Sequence, residues 1–509
     1  MNSRLKKIIC LILASLLVVG AGQFQTLLNH DRDTLGLTRG NTLDNAPPAL
    51  AFTTVALGGF RGLISNLLWM RASDLQQDDK FFEAAQLAEW ITKLEPTYAQ
   101  VWVFQGWNMA YNISVKFKDF PDRWRWLENG ISLMRDEALR YNPNNVDIYR
   151  ELSWFFQHKM GANLDDANMY YKQQWAIEMK DFFGTDGTNF TALLQPKTAE
   201  ELAQLQFFTN KYKMDPQFIK TVDDQYGPFD WRLPEAHAIY WADLGLAEAK
   251  AHPDKVNASD LIKLRRSIYQ SMLQAFHHGR IINDPLRGTY LGPNLGMVNR
   301  VNAAYEQLYQ EETEAPMRDG ILKAHRNFLR DAVYFLYEAN RMPEAAKWFK
   351  YLGDRYPDKT IIDGDPTSLP KNLTLDEYAV AVIQIDIGET SQERVEAAVE
   401  GILIHAYHDL ALGNDDRYEN FKRLAAKVYA RYGKTTSVGN GDKRIPLQPY
   451  DILNREVLSH LLDPQQGYPY AMRAVIRTQL GLPAETAATN AAPPTATAPV
   501  APATNEPAK

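Results

Sequence analysis

From about residue 60 onward, apolar residues recur every three to four positions, the spacing that lays one apolar face along an α-helix. The pattern predicts helices near Ile64–Leu75 and Phe81–Leu94, then from Ala99 to about Val115, a turn at Asp119-Phe120-Pro121, and a return to about Tyr141. Asn142-Pro143 stops that return, because proline has no N–H with which to extend a helix. Further helices follow at Ser259–Phe276, at His325–Glu338 with Pro343–Tyr356, and at Glu393–Leu412 with Asp415–Tyr432; short ones lie at Asp451–Leu462 and Ala471–Leu480. Thr374 with Glu377, and Thr390 with Glu393, have the spacing of capping boxes. Stretches rich in Gly, Pro, Asp and Asn, at Gly184–Lys197, Lys213–Arg232, Gly279–Gly296 and Asp358–Asn372, read as long loops. No segment alternates with Val, Ile and Thr enrichment, so the expected fold class is all-α, with about 15–20 helices.

Some of these helices share a register. Ala84, a small residue where two helices must approach closely, lies twelve positions before Pro96; Trp102 follows that proline by six, and Gly106 by ten. Pro143 repeats the pattern 47 residues later. Aligning the two prolines pairs Trp102 with Tyr149, Gln105 with Leu152, Gly106 with Ser153 and Met109 with Phe156. Trp241, Leu244 and Gly245 form a third such front half, and Ala345, Phe349 and Pro357 fit the back half of another. This register resembles the tetratricopeptide repeat, a helical hairpin of about 34 residues that stacks into a superhelix. The 47-residue spacing departs from the family length and implies long helices and an irregular solenoid.

The resemblance implies a concave groove lined by the first helix of each hairpin. Carried onto this chain, the lining positions are Gln100, Val103, Trp107, Ala110 and Tyr111, then Asp147, Arg150, Trp154, Gln157 and His158. Trp107 and Trp154 then stand at equivalent places with Arg150 beside them, and aromatic and Arg anchors are what protein-binding surfaces favour. The alternative is that the long hairpins rotate both Trp side chains into the core. Ala84, Pro96, Trp102, Gly106, Pro143, Tyr149, Trp241, Leu244, Gly245 and Ala345 are assigned to repeat packing.

The two ends change the picture. Arg4, Lys6 and Lys7 precede an apolar run from Ile8 to about Gly22. A basic start, a short apolar stretch and small residues after it make a secretory signal or a membrane anchor over 1–27. The run is short against the roughly 20 residues of a full span. The basic residues stay in the cytoplasm, so the body is expected on the far side of the membrane, anchored or released after cleavage. Residues 28–48 read as a linker, 49–195 as a front solenoid, 196–482 as a rear one with long loops, and 483–509 as an Ala/Pro/Thr tail too poor in apolar residues to order itself. Ala49 to Met70 is unusually apolar, and is read as a buried first helix of the solenoid rather than a second span. Cys10 is the single cysteine and lies in the apolar run, so the exported part has no disulfide. These features fit a bacterial envelope protein, and a net charge of −7 argues against nucleic acid as a partner.

Candidate chemistry is sparse. His405 and His408, with Asp409, could share a helix face for a metal, but no third ligand accompanies them at a recognisable spacing. His277-His278 near Arg280 complements a helix C-terminus. The acid pairs Asp165-Asp166, Asp223-Asp224, Asp363/Asp365 and Asp415-Asp416 fit no calcium loop. There is no nucleophile elbow, phosphate loop or dinucleotide fingerprint, and no cofactor is expected. The reading is a non-enzymatic scaffold that binds a partner protein in a secretion, pilus-like or polysaccharide assembly. The alternative is an all-helical periplasmic carbohydrate-active or carbohydrate-binding protein, with aromatics as sugar platforms and paired acids for chemistry. A reporter active only in the cytoplasm, fused after residue 480, should be silent in cells; a bright signal overturns the export expectation.

Overall fold

In a computed structural model the chain is all-α apart from one two-stranded hairpin. The structure describes residues 60–253, 256, 258–284, 288–339, 341–387, 392–435 and 447–485, with scattered helical positions between 12 and 31. The segments expected to be a leader or anchor (1–27), a linker (28–48) and a tail (483–509), and the capping box expected at Thr390, therefore lie largely outside the described residues. Among the described residues no helix is long and apolar enough to cross a membrane. The chain divides into two compact units, Met1–Ile282 with Leu291–Ala304, and Asn283–Tyr290 with Tyr305–Lys509, whereas the loop-rich stretches of the sequence suggest a division near residue 195.

In the first unit α1 (Phe60–Gln77) pairs with α2 (Phe81–Leu94). α3 (Ala99–Trp107) continues through a π-helical turn, Asn108–Ile113, and α4 (Phe120–Ser132) through another, Leu133–Ala138. α5 (Val146–Trp154) likewise continues into a π turn at Phe155–Gly161. There follow α6 (Asn168–Phe183), the single turn α7 (Thr191–Leu194), α8 (Ala199–Tyr212), α9 (Pro216–Tyr226), α10 (Pro234–Ala251) and α11 (Ala258–His278). Three departures from the sequence pattern occur here. Lys213–Arg232, expected as a loop, holds α9, because Asp215 caps it by accepting from Gln217 N and Pro216 sits at its first position. Gly279–Gly296 holds the hairpin β1 (Arg280–Asp284) and β2 (Gly288–Gly292). α8 opens on a capping box from Thr198 and Glu201 that periodicity alone does not reveal.

The aligned prolines prove to be equivalent places. Trp102 Nε1 donates to Pro96 O at 2.8 Å, and Tyr149 Oη donates to Pro143 O at 2.8 Å, each ring reaching back six residues. Asn142 Nδ2 also donates to Pro96 O at 2.8 Å, tying the end of the α3–α4 hairpin back to its own start. Ala84 and Ala345 are fully buried, and Trp241 is buried with Leu244 half-buried. A Cβ on Gly106 would stand 2.9 Å from Met134 Cγ, and one on Gly245 only 2.8 Å from Tyr149 Cβ. α1 departs from its expected burial. It packs Ser65, Ala72 and Leu75 toward the interior and leaves Leu63, Leu67 and Met70 exposed.

α10 is the most enclosed helix of this unit, with every residue from Pro234 to Ala242 buried by α5, its π extension, α9 and α11. Two ionisable side chains are caught there. His237 Nε2 donates to Trp231 O at 2.9 Å, and burial lowers the imidazole pKa to about 4. Burial pushes the Glu235 carboxyl up to about 7.

The second unit pairs α13 (Ala315–Glu338) with α14 (Met342–Arg355) after α12 (Val298–Glu311), within which the unit boundary falls. α15 (Leu375–Ile387) opens on the expected capping box, Thr374 Oγ1 accepting from Glu377 N at 3.2 Å and Glu377 Oε2 from Thr374 N at 2.8 Å. α16 (Gln392–Ala411) packs on α17 (Asp415–Thr435), α18 (Tyr450–Leu461) and α19 (Tyr470–Gln479). The Asp358–Asn372 loop is ordered by Ile361 N donating to Ser368 O at 2.9 Å and by a bidentate Arg330–Asp363 pair.

Two measurements check this packing. Gly245→Val should destabilise by about 1–3 kcal/mol in urea titration, because Tyr149 Cβ is fixed to its backbone. Gly106→Ala should cost less, since flexible Met134 can swing away. For Glu235, the unfolded carboxyl titrates near 4.5 and the folded one near 7, so stability is full below 4.5 and falls as pH rises through 7. His237 acts oppositely, its contribution being lost as pH falls from 6.5 through about 4. Glu235→Gln should therefore be more stable relative to the parent at pH 7.5 than at pH 5, by on the order of 2 kcal/mol.

Candidate functional site

On α3 the spacing puts Gln100, Val103 and Trp107 on one face. Gln100 is exposed, Val103 half-buried, and Trp107 38% exposed. Beyond Trp107 the backbone takes its π turn, with Ser114 N donating to Met109 O across five residues instead of four. The extra residue rotates the remainder of the helix by about a quarter turn. Ala110 goes to the core, while Tyr111, four residues past Trp107, lies beneath it, ring centroids 4.1 Å apart and planes 20° from parallel.

α5 repeats the manoeuvre. Asp147, Arg150 and Trp154 are half-buried along one face, and the π turn starts at Phe155, 47 residues after Asn108. His158 then stacks on Trp154 at 4.4 Å and 12°. Two groove assignments are thereby corrected: Ala110 is in the core, and Gln157 is not on the groove but 4% exposed. Its Nε2 donates to Gln270 Oε1 at 3.0 Å, and its Oε1 accepts from Ser267 at 3.2 Å, both on α11.

The two helices join directly. Tyr111 Oη and His158 Nδ1 are 3.2 Å apart, and Trp107 Nε1 donates to Glu151 Oε2 at 2.7 Å. The result is a ladder of four rings in the order Trp107, Tyr111, His158, Trp154, running across neighbouring helices. The sequence register names all four rings but places none of the bonds between them.

The ladder rests on charges that the sequence register does not assign to it. Glu151 is 3% exposed; besides Trp107 it takes Arg150 Nη2 at 2.5 Å, and Arg150 Nε lies 3.6 Å from Asp147. Burial raises the Glu151 carboxyl, and Arg150 and the Trp107 N–H pull it back in part. Burial, aided by Glu151, raises the Tyr111 hydroxyl far above the ordinary tyrosine range, so it stays protonated. Burial and then Lys159 lower His158, which leaves a neutral ring able to accept the Tyr111 proton at Nδ1.

Lys159, itself buried, sits 5.1 Å over the Tyr111 ring and 2.5 Å from Asp165 Oδ2. Arg123 Nη1 meets Asp165 at 3.1 Å and also reaches Asp166. Burial acts to raise Asp165, but the Lys159 hydrogen bond, the Ala167 N–H and Arg123 outweigh it and hold the carboxyl below its usual range. The Asp165-Asp166 pair is thus an ion-paired brace at the end of the π turn. The only advance signal for Glu151 is a carboxylate on an otherwise apolar face.

The other candidates have local partners. His405 stacks on Phe421, Asp409 pairs with Arg417 at 2.9 Å, and Asp223 Oδ1 accepts from Phe229 N and Trp231 Nε1. Among the described residues no three His, Cys, Asp or Glu side chains are grouped as a metal site. Comparison with protein-family models, with curated proteins and with solved structures finds no match.

Trp107→Phe keeps the ring and removes the donor to Glu151. It should cost about 1–3 kcal/mol by leaving a buried carboxylate oxygen unpaired. Glu151→Gln in the same chain should recover part of that loss, read as a coupling energy in a double-mutant urea titration.

Proposed function

We propose that this chain is an exported, membrane-associated scaffold of tetratricopeptide-like hairpins that holds a partner protein in an envelope assembly for secretion, a pilus-like structure or a polysaccharide. The observation that carries the proposal is the repeat itself. The same ring-to-proline bond, the same π turn and the same stacked ring pair recur at a 47-residue offset in adjoining hairpins.

In a solenoid of such hairpins, the first helices line the inner surface and side chains at equivalent register make a continuous row. Here that row is aromatic, cross-bonded and braced from behind by Glu151, Lys159 and Asp165. Bracing fixes the rotamers before binding, so a partner does not have to supply the entropy of ordering them. Trp107, with more than a third of its surface free, is the anchor that a partner side chain covers, and Gln100 and Arg150 are the polar rim. No step in this reading needs a cofactor or a reacting group.

A photo-crosslinking residue in place of Gln100, expressed in the cell of origin, should trap a defined protein, whereas the same residue at Glu200 should not. Trp107→Ala in that background should abolish the product, since losing a central anchor costs about 2 kcal/mol or more of binding. A product unaffected by Trp107→Ala, or formed equally from position 200, overturns the reading.

A further inference from the structure

α1 carries three large apolar residues on its outer face. Toward α2 it turns Ser65, Ala72 and Leu75, all buried, while Leu63, Leu67 and Met70 stand 56%, 58% and 64% exposed. Those three positions follow i, i+4, i+7, so they form one stripe along the outer face. Arg71 lies just past the stripe and is exposed, Arg61 precedes it in sequence, and Asp74 marks its end one turn later. Contiguous exposed apolar surface of this kind marks an interaction face.

A second observation says what covers it. At the described N-terminal positions the chain is helical, and Ile12, Leu17, Phe24, Leu27 and Leu28 are all more than half exposed. This helix follows Arg4, Lys6 and Lys7 and precedes α1 in the chain. An apolar helical segment with a basic start partitions into a bilayer, and the next helix in the chain carries an apolar stripe with exposed Arg71 beside it. Arginine beside an interfacial apolar face pairs with anionic headgroups.

We infer that the Leu63–Leu67–Met70 face of α1 lies on the surface of an anionic lipid bilayer, as a second contact beyond the N-terminal tether. α1 does not span. Its other face is packed on α2, and Arg71 and Asp74 would be costly in hydrocarbon. It lies in the headgroup boundary with the three side chains down. The inference rests on the membrane association proposed above and is independent of the ring ladder.

The test uses the full chain with Cys10→Ser and one new cysteine, Leu67→Cys or, as control, Glu200→Cys, labelled with the environment-sensitive dye NBD. On vesicles of phosphatidylglycerol and phosphatidylethanolamine, emission at position 67 should rise about two-fold and shift to the blue, as expected of a dye entering the headgroup boundary. Position 200 should not respond. Vesicle sedimentation reports the tether separately: protein that sediments with vesicles while position 67 stays unchanged overturns the α1 contact and leaves membrane association standing. Protein that does not sediment overturns both. A rise at position 67 that tracks protein concentration without vesicles means that a second copy covers the face, and also overturns the inference.

Discussion

The arrangement around Trp107 depends on one backbone event performed twice, the extra residue in the π turns at the ends of α3 and α5. Each turn widens the helix and forgoes regular i→i−4 bonding, a cost that persists only where surroundings compensate. Compensation is visible after Trp107, where Ser114 Oγ donates to Ala110 O at 2.6 Å. After Trp154 it comes from packing, with Phe155, Phe156 and Met160 all in the core. The pairs Trp107–Tyr111 and Trp154–His158, four residues apart, share a helix face in any case; at the wider turns Ala110 and Gln157, three residues past each Trp, lie inside.

Charge placement is set by the same geometry. Rotation carries Lys159 inside, where an unpaired ammonium would be prohibitive, and Asp165 and Arg123 gather around it. The turn after Gly161 is therefore held by a buried ion network rather than by apolar packing. Such a network adds little net stability but tolerates few alternative arrangements, which suits a surface whose rings must stand in a fixed order. α10 shows the contrasting solution: its buried Glu235 and His237 lie where burial favours the neutral forms.

The ring ladder and the α1 stripe differ in chemistry. The ladder mixes rings with N–H, hydroxyl and imidazole groups. Trp107 Nε1, Tyr111 Oη and His158 Nδ1 each have a partner inside the protein, and the rings stack on one another, with Trp107 38% exposed. The α1 stripe is built from flexible side chains, Leu63, Leu67 and Met70, that carry no hydrogen-bonding N–H or O–H. Flat, rigid aromatic surface suits recognition of another folded or extended chain, and flexible apolar surface without directionality suits lipid.

The all-α class, most helix positions, the close-packing role of Gly106, Gly245 and Ala84, and the equivalence of Pro96 with Pro143 were determined by sequence alone. Each comes from local rules, namely periodicity, a missing N–H or a missing Cβ, which act over one or two turns. Trp107, Tyr111, Trp154 and His158 were legible as one register because a 47-residue offset preserves it. Tertiary structure decided the rest. The buried bond from Trp107 to Glu151 needs two helices 44 residues apart in sequence to meet, and the inward turn of Gln157 is held by neighbours more than a hundred positions away, Ser267 and Gln270; Arg123, Lys159 and Asp165 likewise gather only in the fold. The exposure of Leu63, Leu67 and Met70 is of the same kind. Apolar spacing says that a helix has a face, and only the packed neighbours decide whether that face is covered.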